Sequence, residues 1–332
     1  MEPARSGAIA GAARQAILAQ GREAIAGEAR ALAAMGAALD KRFADAVETL
    51  VETRGRIVVA GLGKSGHVAR KIAATFSATG RPALFLHAGD AAHGDLGALA
   101  PGDALVMLSN SGETRECAAV AAHARRLGCA VIAITARADS ALAHGADHLV
   151  LLPTAPEVCP FGASPTTSTT MMLAMGDALA VTAMRRRGVS REALRALHPG
   201  GRIGRDLVPV AAFMHRGADL PLVAPDMAMP AVLAEISAKG FGIAAVVDRR
   251  GVLLGVVTDG DVRRNAATLA SACAADMMTR DARTIRADAI ARDALALLAQ
   301  CRITALVVVS GDESSHVEGL VHVHDMLALG PA

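Results

Sequence analysis

The sequence predicts an α/β protein: a doubly wound, parallel five-stranded sheet followed by a repeated smaller unit. Two observations carry this prediction. Between residues 56 and 188, continuous apolar runs alternate with stretches that place apolar residues at helical spacing. Further on, the segments that begin at Met214 and Met277 share one order of elements. Runs that are apolar throughout are typical of strands buried on both faces, as in a parallel sheet covered by helices.

The strands of this sheet are predicted from five apolar runs. They are RIVVAG (56–61), PALFLH (82–87), ALVMLSN (104–110), AVIAIT (130–135) and HLVLLP (148–153). In open α/β sheets, ligands bind at the carboxyl ends of the strands. The polar segments GKSGH, HAGDAAHGDLG, SNSGETRE and PTAPEVCPFGASPTTSTT each follow one of these runs. We therefore expect the functional site where these loops meet.

The segment before the sheet, residues 1–55, is Ala-rich with charges every few residues, which predicts one or two helices packing on the sheet domain. It lacks the apolar central block of a signal peptide. The most apolar helical stretch, TTMMLAMGDALAVTAMRRRG, carries Asp177 in its middle and is too short to span a bilayer. We expect a soluble, cytoplasmic protein without a membrane partner.

The amino-acid composition limits the classes of molecule that this protein is expected to bind. The 332 residues have 52% hydrophobic content, a net charge of +2, and neither Trp nor Tyr. The absence of a basic block with interleaved aromatic residues argues against nucleic-acid binding. The cysteines are odd in number, widely spaced and without C-x-x-C spacing, so they predict neither disulfides nor a zinc site but a reducing compartment. They are Cys117, Cys129, Cys159, Cys273 and Cys301.

The turn after the first strand, VVAGLGKSGH, predicts a strand, a tight turn and a helix start that suits an anion. Gly61, Gly63 and Gly66 fit the G-x-G-x-x-G spacing of dinucleotide-binding proteins. However, the second strand ends in His87 rather than in the expected acidic residue. The spacing also fails for a mononucleotide phosphate loop. A structural bend stays open as an alternative to a phosphate site that includes Lys64 and Ser65.

The turn SNSGET gives the sharper signal for phosphate. It places the hydroxyls of Ser109, Ser111 and Thr114 next to a glycine and a helix start. Such a turn can cradle a phosphate that is not part of a nucleotide. The alternative is helix capping, to which Thr114 and Glu116 could both contribute.

The whole set of motifs resembles the sugar isomerase family, specifically the bacterial arabinose-5-phosphate isomerases. The resemblance rests on GLGKSGH, HAGDAAHGDLG, SNSGET, PTTSTTMMLAMGDALA and HPGGRIGR, and it covers nearly the whole chain. It implies interconversion of D-ribulose 5-phosphate and D-arabinose 5-phosphate through an enediol, without a required cofactor. It also implies a homotetramer and a place in the supply of the eight-carbon acid sugar (Kdo) of lipopolysaccharide or capsules.

The resemblance also implies the residues of the site. The family's catalytic set falls on Lys64, Glu116, Glu157 and His198. Lys64 suits the phosphate or the enediolate oxygen, either glutamate suits proton shuttling, and His198 suits acid–base work in its own or a neighbouring subunit. The implied substrate-binding residues are Ser65, Gly80, Arg81, His87, His93, Ser109, Ser111 and Thr114. The resemblance also implies that His87 is the residue where a divalent metal can bind, and a zinc ion bound there is expected to inhibit.

The repeat resembles a tandem pair of CBS motifs, which implies a cleft for a regulatory nucleotide or nucleotide-sugar. In the first copy, TDGD supplies Thr258 and Asp261 for phosphate and ribose, whereas the second copy has His322 where a threonine is expected. A purely structural or oligomerising module stays open. We expect domains at 1–55, 56–198, 213–271 and 272–332, with a linker at 199–212.

Two rival functions stay open on the sequence. One is a non-catalytic sugar-phosphate sensor, although the N-terminus lacks the basic helix of a DNA-binding helix-turn-helix. The other is an isomerase of another phosphosugar, which the C-terminal repeat disfavours.

Overall fold

A computed structural model describes residues 3–199, 201–311 and 315–328. The chain forms two compact units that divide between Ser190 and Arg191. This division falls earlier than the linker expected at 199–212. The short helices α8 (Arg191–Ala196) and α9 (Arg202–Asp206) therefore belong to the second unit.

The first unit contains the predicted five-stranded sheet. Its strands are β1 (Ile57–Gly61), β2 (Ala83–His87), β3 (Ala104–Leu108), β4 (Ala130–Thr135) and β5 (His148–Leu151). They lie in the order β2-β1-β3-β4-β5, and every neighbouring pair is parallel. The predicted fold class is confirmed. Because the chain first extends the sheet on one side of β1 and then on the other, the strand order reverses between β1 and β3, where such sheets bind ligands.

Helices cover both faces of this sheet. They are α1 (Pro3–Ala37), α2 (Lys41–Glu52), α3 (Gly63–Ala78), α4 (Ala88–Ala91), α5 (Arg115–Arg126), α6 (Ala141–His144) and α7 (Thr167–Arg186), with a 3₁₀ turn at Asp95–Ala98. Alternate residues of β1 face opposite cores: Ile57 and Val59 lie with α1, α2, α3 and α7, whereas Val58 and Ala60 lie with α4, α5 and α6. Burial on both faces explains why β1 and β3 are apolar throughout.

The N-terminal helices belong to the first unit. Ala31 and Met35 of α1 and Leu50 of α2 are buried in the core on one side of the sheet. On the edge strand β5, His148 Nε2 lies 2.8 Å from Thr49 Oγ1 of α2. Among the described residues, no helix is long and apolar enough to cross a membrane.

The second unit contains the predicted repeat. The first copy comprises β6 (Leu222–Val223), α10 (Met229–Lys239), β7 (Ile243–Val247), β8 (Leu253–Thr258) and α11 (Asp259–Arg264). After α12 (Ala274–Met277), the second comprises β9 (Thr284–Arg286), α13 (Ala291–Cys301), β10 (Ala305–Val309), β11 (Val317–His322) and α14 (Val323–Ala328). Each copy forms a three-stranded sheet with one parallel and one antiparallel pair.

The two copies are also related in detail. The backbone of Thr279 bonds to Val256 of β8, and the backbone of His215 bonds to Leu320 of β11 in the same way. The segment preceding each copy's first strand thus pairs with the other copy's last strand. This exchange makes the two copies one folding unit.

Candidate functional site

Three loops meet at the carboxyl edge of β2, β1 and β3. Gly61, the last residue of β1, is in register with His87 of β2 and Leu108 of β3. The β1–α3 turn, the segment after His87 and the SNSGET turn therefore leave the sheet side by side. This edge coincides with the reversal of strand order.

The β1–α3 turn is tight, and its helix end is open. A Cβ on Gly66 would lie 3.1 Å from the carbonyl oxygen of Gly61, so glycine is required for this close approach. Helix α3 begins at Gly63, inside the predicted turn, and its N-cap Leu62 offers no capping side chain. The first N–H groups of α3 are thus free to bind an anion. Lys64 is exposed and Ser65 is half-buried in this first turn.

His87 lies against the glycines of the two neighbouring turns. Its Cε1 atom would be 3.1 Å from a Cβ on Gly89, and its Cδ2 atom 3.8 Å from one on Gly66. Nδ1 lies 3.2 Å from Asp90 Oδ2, but out of line for a hydrogen bond, so this nitrogen has no hydrogen-bond partner among the described residues. His93 is exposed in the segment that follows.

These residues do not fit a resident metal ion. Asp90 is the one acid near His87, and no cluster of three or more His, Cys, Asp or Glu able to hold a metal occurs in the part of the chain that the structure describes. Stable zinc sites use three or four such ligands. We therefore derive no chemical step through a metal.

The SNSGET turn uses some of the hydroxyls that were predicted to bind phosphate. Ser109 is 4% exposed; its Oγ accepts a hydrogen bond from the Gly112 N–H (3.1 Å) and lies within hydrogen-bond distance of Thr114 Oγ1 (3.2 Å). Gly112 has φ +67°, and a Cβ there would overlap the Ser140 hydroxyl, so only glycine fits. Ser109 thus holds the turn closed, while Ser111 is exposed at its tip.

The helix after this turn is also open at its N-terminus. Thr114 is the N-cap of α5, but its hydroxyl bonds to Ser109 instead of capping the helix. The N–H groups of the first turn accordingly remain available to an anion. Glu116 lies in this turn, is exposed, and makes no hydrogen bond with any residue that the structure describes. The capping alternative is therefore wrong for Thr114.

Glu157 closes the N-terminus of α7. Its Oε2 accepts hydrogen bonds from the Thr166 N–H (2.7 Å), the Thr166 hydroxyl (2.9 Å) and the Ser168 N–H (3.3 Å). Burial by itself would raise the pKa of this carboxyl, but the Ser168 and Thr166 donors outweigh it and hold the pKa below its ordinary value. The Ser168 hydroxyl acts through its proximity, since its geometry falls outside a hydrogen bond. Glu157 is an ionised cap, which suits positioning better than proton shuttling.

Two predicted site residues lie at the opposite edge of the sheet, and a third belongs to the second unit. Gly80 and Arg81 precede β2, at the opposite edge of the sheet, one strand length or about 15 Å from the crevice. Arg81 is buried there and donates to the carbonyl oxygen of Thr53. His198 belongs to the second unit, where its Nδ1 lies 2.8 Å from the carbonyl oxygen of Leu194. Within a single chain, Gly80 and Arg81 are therefore too far from the crevice to contact a ligand bound there.

The structure also brings together residues that the sequence did not single out. Arg137, Thr154 and Ser168 line a pocket of ≈ 270 Å³ together with Asn110 and Ser111 of the SNSGET turn. A sequence signal existed for Arg137, since it follows β4 by two residues and so lies at the carboxyl edge. For Ser168, no local pattern distinguishes it from the neighbouring hydroxyls.

The second unit has a pocket of its own, of ≈ 540 Å³, where the two copies meet. Thr258 and Asp261 line it, as predicted, but they are bonded to each other. Asp261 Oδ2 accepts from the Thr258 N–H (2.9 Å) and hydroxyl (2.6 Å), and Oδ1 accepts from Arg264 (2.7 Å). Burial would raise the pKa of Asp261, but the Thr258 and Arg264 donors hold it below its ordinary value. Asp261 thus acts as an internal cap, and its predicted contact with ribose stays a prediction.

The second copy repeats this cap with histidines. The N–H of His322 donates to Asp325 Oδ2 (2.7 Å), and His215 Nε2 lies 3.0 Å from Asp325 Oδ1. In the first copy, the hydroxyl of Thr279 donates to Asp261 Oδ1 (3.3 Å). His215 occupies the equivalent position in the second copy. Burial and the nearby His324 lower the pKa of His322. The departure of the second copy from the threonine pattern therefore preserves the turn and changes the chemistry of its surface.

Comparison with known proteins agrees with both units. Residues 50–182 match the SIS domain, and residues 210–267 and 274–331 each match the CBS domain. The arabinose 5-phosphate isomerase KdsD of Escherichia coli K12 is 39% identical over 314 residues, which cover 93% of this chain and 95% of that protein. KdsD of Pseudomonas aeruginosa is 39% identical over 87% of this chain and 89% of its own.

A solved structure agrees for the first unit. The protein c3406 of E. coli CFT073, in complex with arabinose 5-phosphate, is 34% identical with a TM-score of 0.54, and the match covers 56% of this chain and 98% of that one. By fold and motif, the chain is a sugar isomerase (SIS) domain protein with a CBS pair. It belongs to the arabinose 5-phosphate isomerase family.

Proposed function

We propose that this protein interconverts D-ribulose 5-phosphate and D-arabinose 5-phosphate through an enediol intermediate. The observation that carries the proposal is the pair of open helix ends, α3 and α5, side by side where the strand order reverses. Two sets of free N–H groups with an adjacent lysine fit one phosphate and a developing oxyanion. The names of the relatives, and the arabinose 5-phosphate bound by the solved neighbour, supply the substrate.

The chemistry needs a base that moves a proton between two neighbouring carbons and a donor that stabilises charge on the oxygens. Of the predicted carboxylates, Glu116 suits the base, because its oxygens are free and it lies in the first turn of α5. The ammonium of Lys64, on the neighbouring turn, suits the enediolate oxygens. Ser111, Ser65 and the N–H groups of α5 bind the phosphate.

Two other members of the predicted set have different roles in this proposal. Glu157 fixes the start of α7 through its three hydrogen bonds and is a positioning residue. His198 is proposed as an acid or base supplied from the second unit of the same or a neighbouring chain. His87 and His93 are proposed to contact the sugar hydroxyls.

The test is a coupled assay in which ribulose 5-phosphate and a panel of other ketose phosphates are offered to the full chain. We expect turnover with ribulose 5-phosphate at least tenfold above the others. Turnover that favours a hexulose or heptulose phosphate would reassign the substrate, and the absence of any turnover would point to the non-catalytic sensor.

We further propose that the pocket of the second unit binds a regulatory nucleotide or nucleotide-sugar. Four arginines line it against three aspartates: Arg263, Arg264, Arg283, Arg302, Asp259, Asp261 and Asp281. Arg264 is paired with Asp261, whereas Arg263, Arg283 and Arg302 make no ion pair with any described residue. This leaves donors for phosphate groups.

Calorimetric titration of adenine and cytidine nucleotides into the full chain tests this second function. We expect binding that weakens in Arg283→Ala, with Arg126→Ala in the first unit as a charge-matched control. Equal binding by both variants would leave the repeat as a structural module.

We also propose a homotetramer, a cytoplasmic location and a place in the supply of an eight-carbon acid sugar. Ile17 and Ile25 of α1 are 66% and 72% exposed, and Phe161 is 91% exposed, as expected for surfaces covered in a homotetramer. All five cysteines are free thiols, consistent with the cytoplasm. Arabinose 5-phosphate would then feed the eight-carbon acid sugar.

A further inference from the structure

A pocket of ≈ 270 Å³ next to the SNSGET turn is not used by the proposed chemistry. It lies on the far side of this turn from β1, where β4 and β5 end and α7 begins. Asn110 and Ser111 form one wall, Arg137 and Thr154 lie at the ends of β4 and β5, and Ser168 comes from α7. The pocket therefore adjoins the substrate crevice and shares Ser111 with it.

Ser168 gives the first indication of a ligand. Its side chain is 4% exposed, and its Oγ makes no hydrogen bond within the described residues. A buried hydroxyl without a partner costs about 1–3 kcal/mol, so such groups usually have a ligand or water. Since the Ser168 N–H is already bound to Glu157, the hydroxyl is the group that this residue can offer to the pocket.

The charge of the pocket indicates the class of ligand. Of the residues that the structure describes, Arg137 is the one charged residue in its wall, and no carboxylate lines it. The Nε of Arg137 lies 3.4 Å from Asp139 Oδ1, but its two terminal nitrogens have no partner among the residues described. A guanidinium edge beside hydroxyl and amide groups suits the oxygens of a phosphate.

Glu157 limits where such an anion can bind. Its carboxylate already accepts hydrogen bonds from the N–H groups at the start of α7. The N-terminus of α7 therefore cannot bind an anion in the way proposed for the open N-terminus of α5. An anion in this pocket must be held by side chains, and by Arg137 above all. This makes the assignment testable by single substitutions.

We propose that the pocket is an oxyanion subsite in which Arg137, Ser168 and Asn110 bind a phosphate group. The phosphate can come from a second phosphorylated molecule that binds beside the substrate, or from the sugar phosphate itself, in which case this subsite replaces the phosphate contacts of Ser65 and the α5 N–H groups proposed above. The choice between these two sources rests on the proposed function, but the existence of the subsite does not.

Titration of inorganic phosphate into the full chain, followed by calorimetry, tests the subsite. Relative to the wild type, we expect Arg137→Ala to weaken one class of phosphate sites about 10- to 100-fold, the range for loss of a charged hydrogen bond. Ser168→Ala should weaken the same class, and its Tm measures what the loss of the hydroxyl near Glu157 costs in stability. Arg126→Ala, an exposed arginine at the other end of α5, is the matched control.

Kinetics with ribulose 5-phosphate then separate the two sources. A KM that rises in Arg137→Ala assigns the subsite to the substrate's phosphate, whereas an unchanged KM with weakened phosphate binding assigns it to a second ligand. Identical phosphate isotherms for the wild type, Arg137→Ala and Ser168→Ala would overturn the proposal. Because the isotherms need no turnover, failure of the isomerase assay leaves this test intact.

Discussion

Two helices of the sheet unit and two of the repeat unit differ in how their N-termini are capped. In the sheet unit, α3 and α5 start without a capping side chain, at the point where the strand order reverses. In the repeat unit, α11 and α12 both start with capping boxes, closed by Asp261 and Asp276. Unsatisfied N–H groups cost stability, so an open helix end suggests that a ligand completes it. Helices α10 and α13 of the repeat unit also start without a capping side chain, so it is the position of α3 and α5 at the reversal of strand order that marks their open ends as a candidate anion site.

Glu116 should show the largest effect, because it lies at an open helix end. We expect Glu116→Gln to lower turnover about 10²- to 10⁴-fold, the usual contribution of a positioned base, and to leave Tm unchanged. Lys64→Ala should act in the same direction. Glu113→Gln is the matched control: its carboxylate accepts from the Ala141 N–H (3.1 Å) at the start of α6, so it should alter stability more than turnover. Equal turnover in the two glutamine variants would contradict the mechanism.

Glu157 tests a helix end of the sheet unit, the start of α7, that is closed by a carboxylate from a preceding loop. We expect Glu157→Ala to lower the free energy of unfolding by about 1–3 kcal/mol at neutral pH, because Thr166 and Ser168 lose their acceptor. Urea unfolding measures this difference.

The same substitution predicts a pH dependence. The folded-state pKa of Glu157 is below its ordinary value of 4.5, so its contribution is present above that pH and is lost as the pH falls through the folded pKa. The wild type and Glu157→Ala should therefore converge in stability as the pH falls from 4.5 through the folded-state pKa. A difference that stays constant as the pH is lowered would show that the charge is not responsible.

Asp261 tests a closed end in the repeat unit. Asp261 is the N3 acceptor of the capping box whose N-cap is Thr258. Loss of a cap typically costs about 0.5–2 kcal/mol, and we expect Asp261→Ala to destabilise the second unit by that amount while leaving kcat unchanged. Asp261→Asn keeps an acceptor and should recover part of the loss. A large fall in kcat would mean that the repeat unit acts directly on the catalytic site.

The smallest expected effects are those of replacing the two serines of the SNSGET turn, and they should differ in kind. Ser111→Ala should raise KM about 2- to 10-fold with little change in kcat, as expected when a phosphate contact is equal in ground and transition states. Ser109→Ala should instead lower Tm, because its hydroxyl closes the turn. The reverse pattern in KM and Tm would exchange their roles.

Much of this site follows from strand order along the chain. Once five buried strands are recognised, their polar loops must meet at one edge, which places Lys64, Ser65, His87, Ser111 and Glu116 together. Gly80 and Arg81 precede a strand, so the same rule places them at the opposite edge. Position before or after a strand therefore suffices to distinguish these two residues from the candidates that follow a strand.

Hydrogen-bond partners were beyond sequence reasoning. Glu157 and Ser168 are eleven positions apart, and only the path of the loop between them brings the carboxylate to the helix end. Likewise, the resemblance to CBS motifs implies that Thr258 and Asp261 contact a nucleotide, whereas the hydrogen bond between these two residues is seen only in the structure.

Sequence patterns alone predict the classes of element, the parallel sheet, the repeat and the sheet edge that carries the candidate site. These depend on periodicity and on burial, which local residue patterns record directly. Only the tertiary structure decided which helix ends are capped and which are open, because a cap depends on an acceptor within about 3 Å that can come from anywhere in the chain. In this protein, the presence or absence of such a cap separates the residues that stabilise the fold from those that are free to act on a substrate.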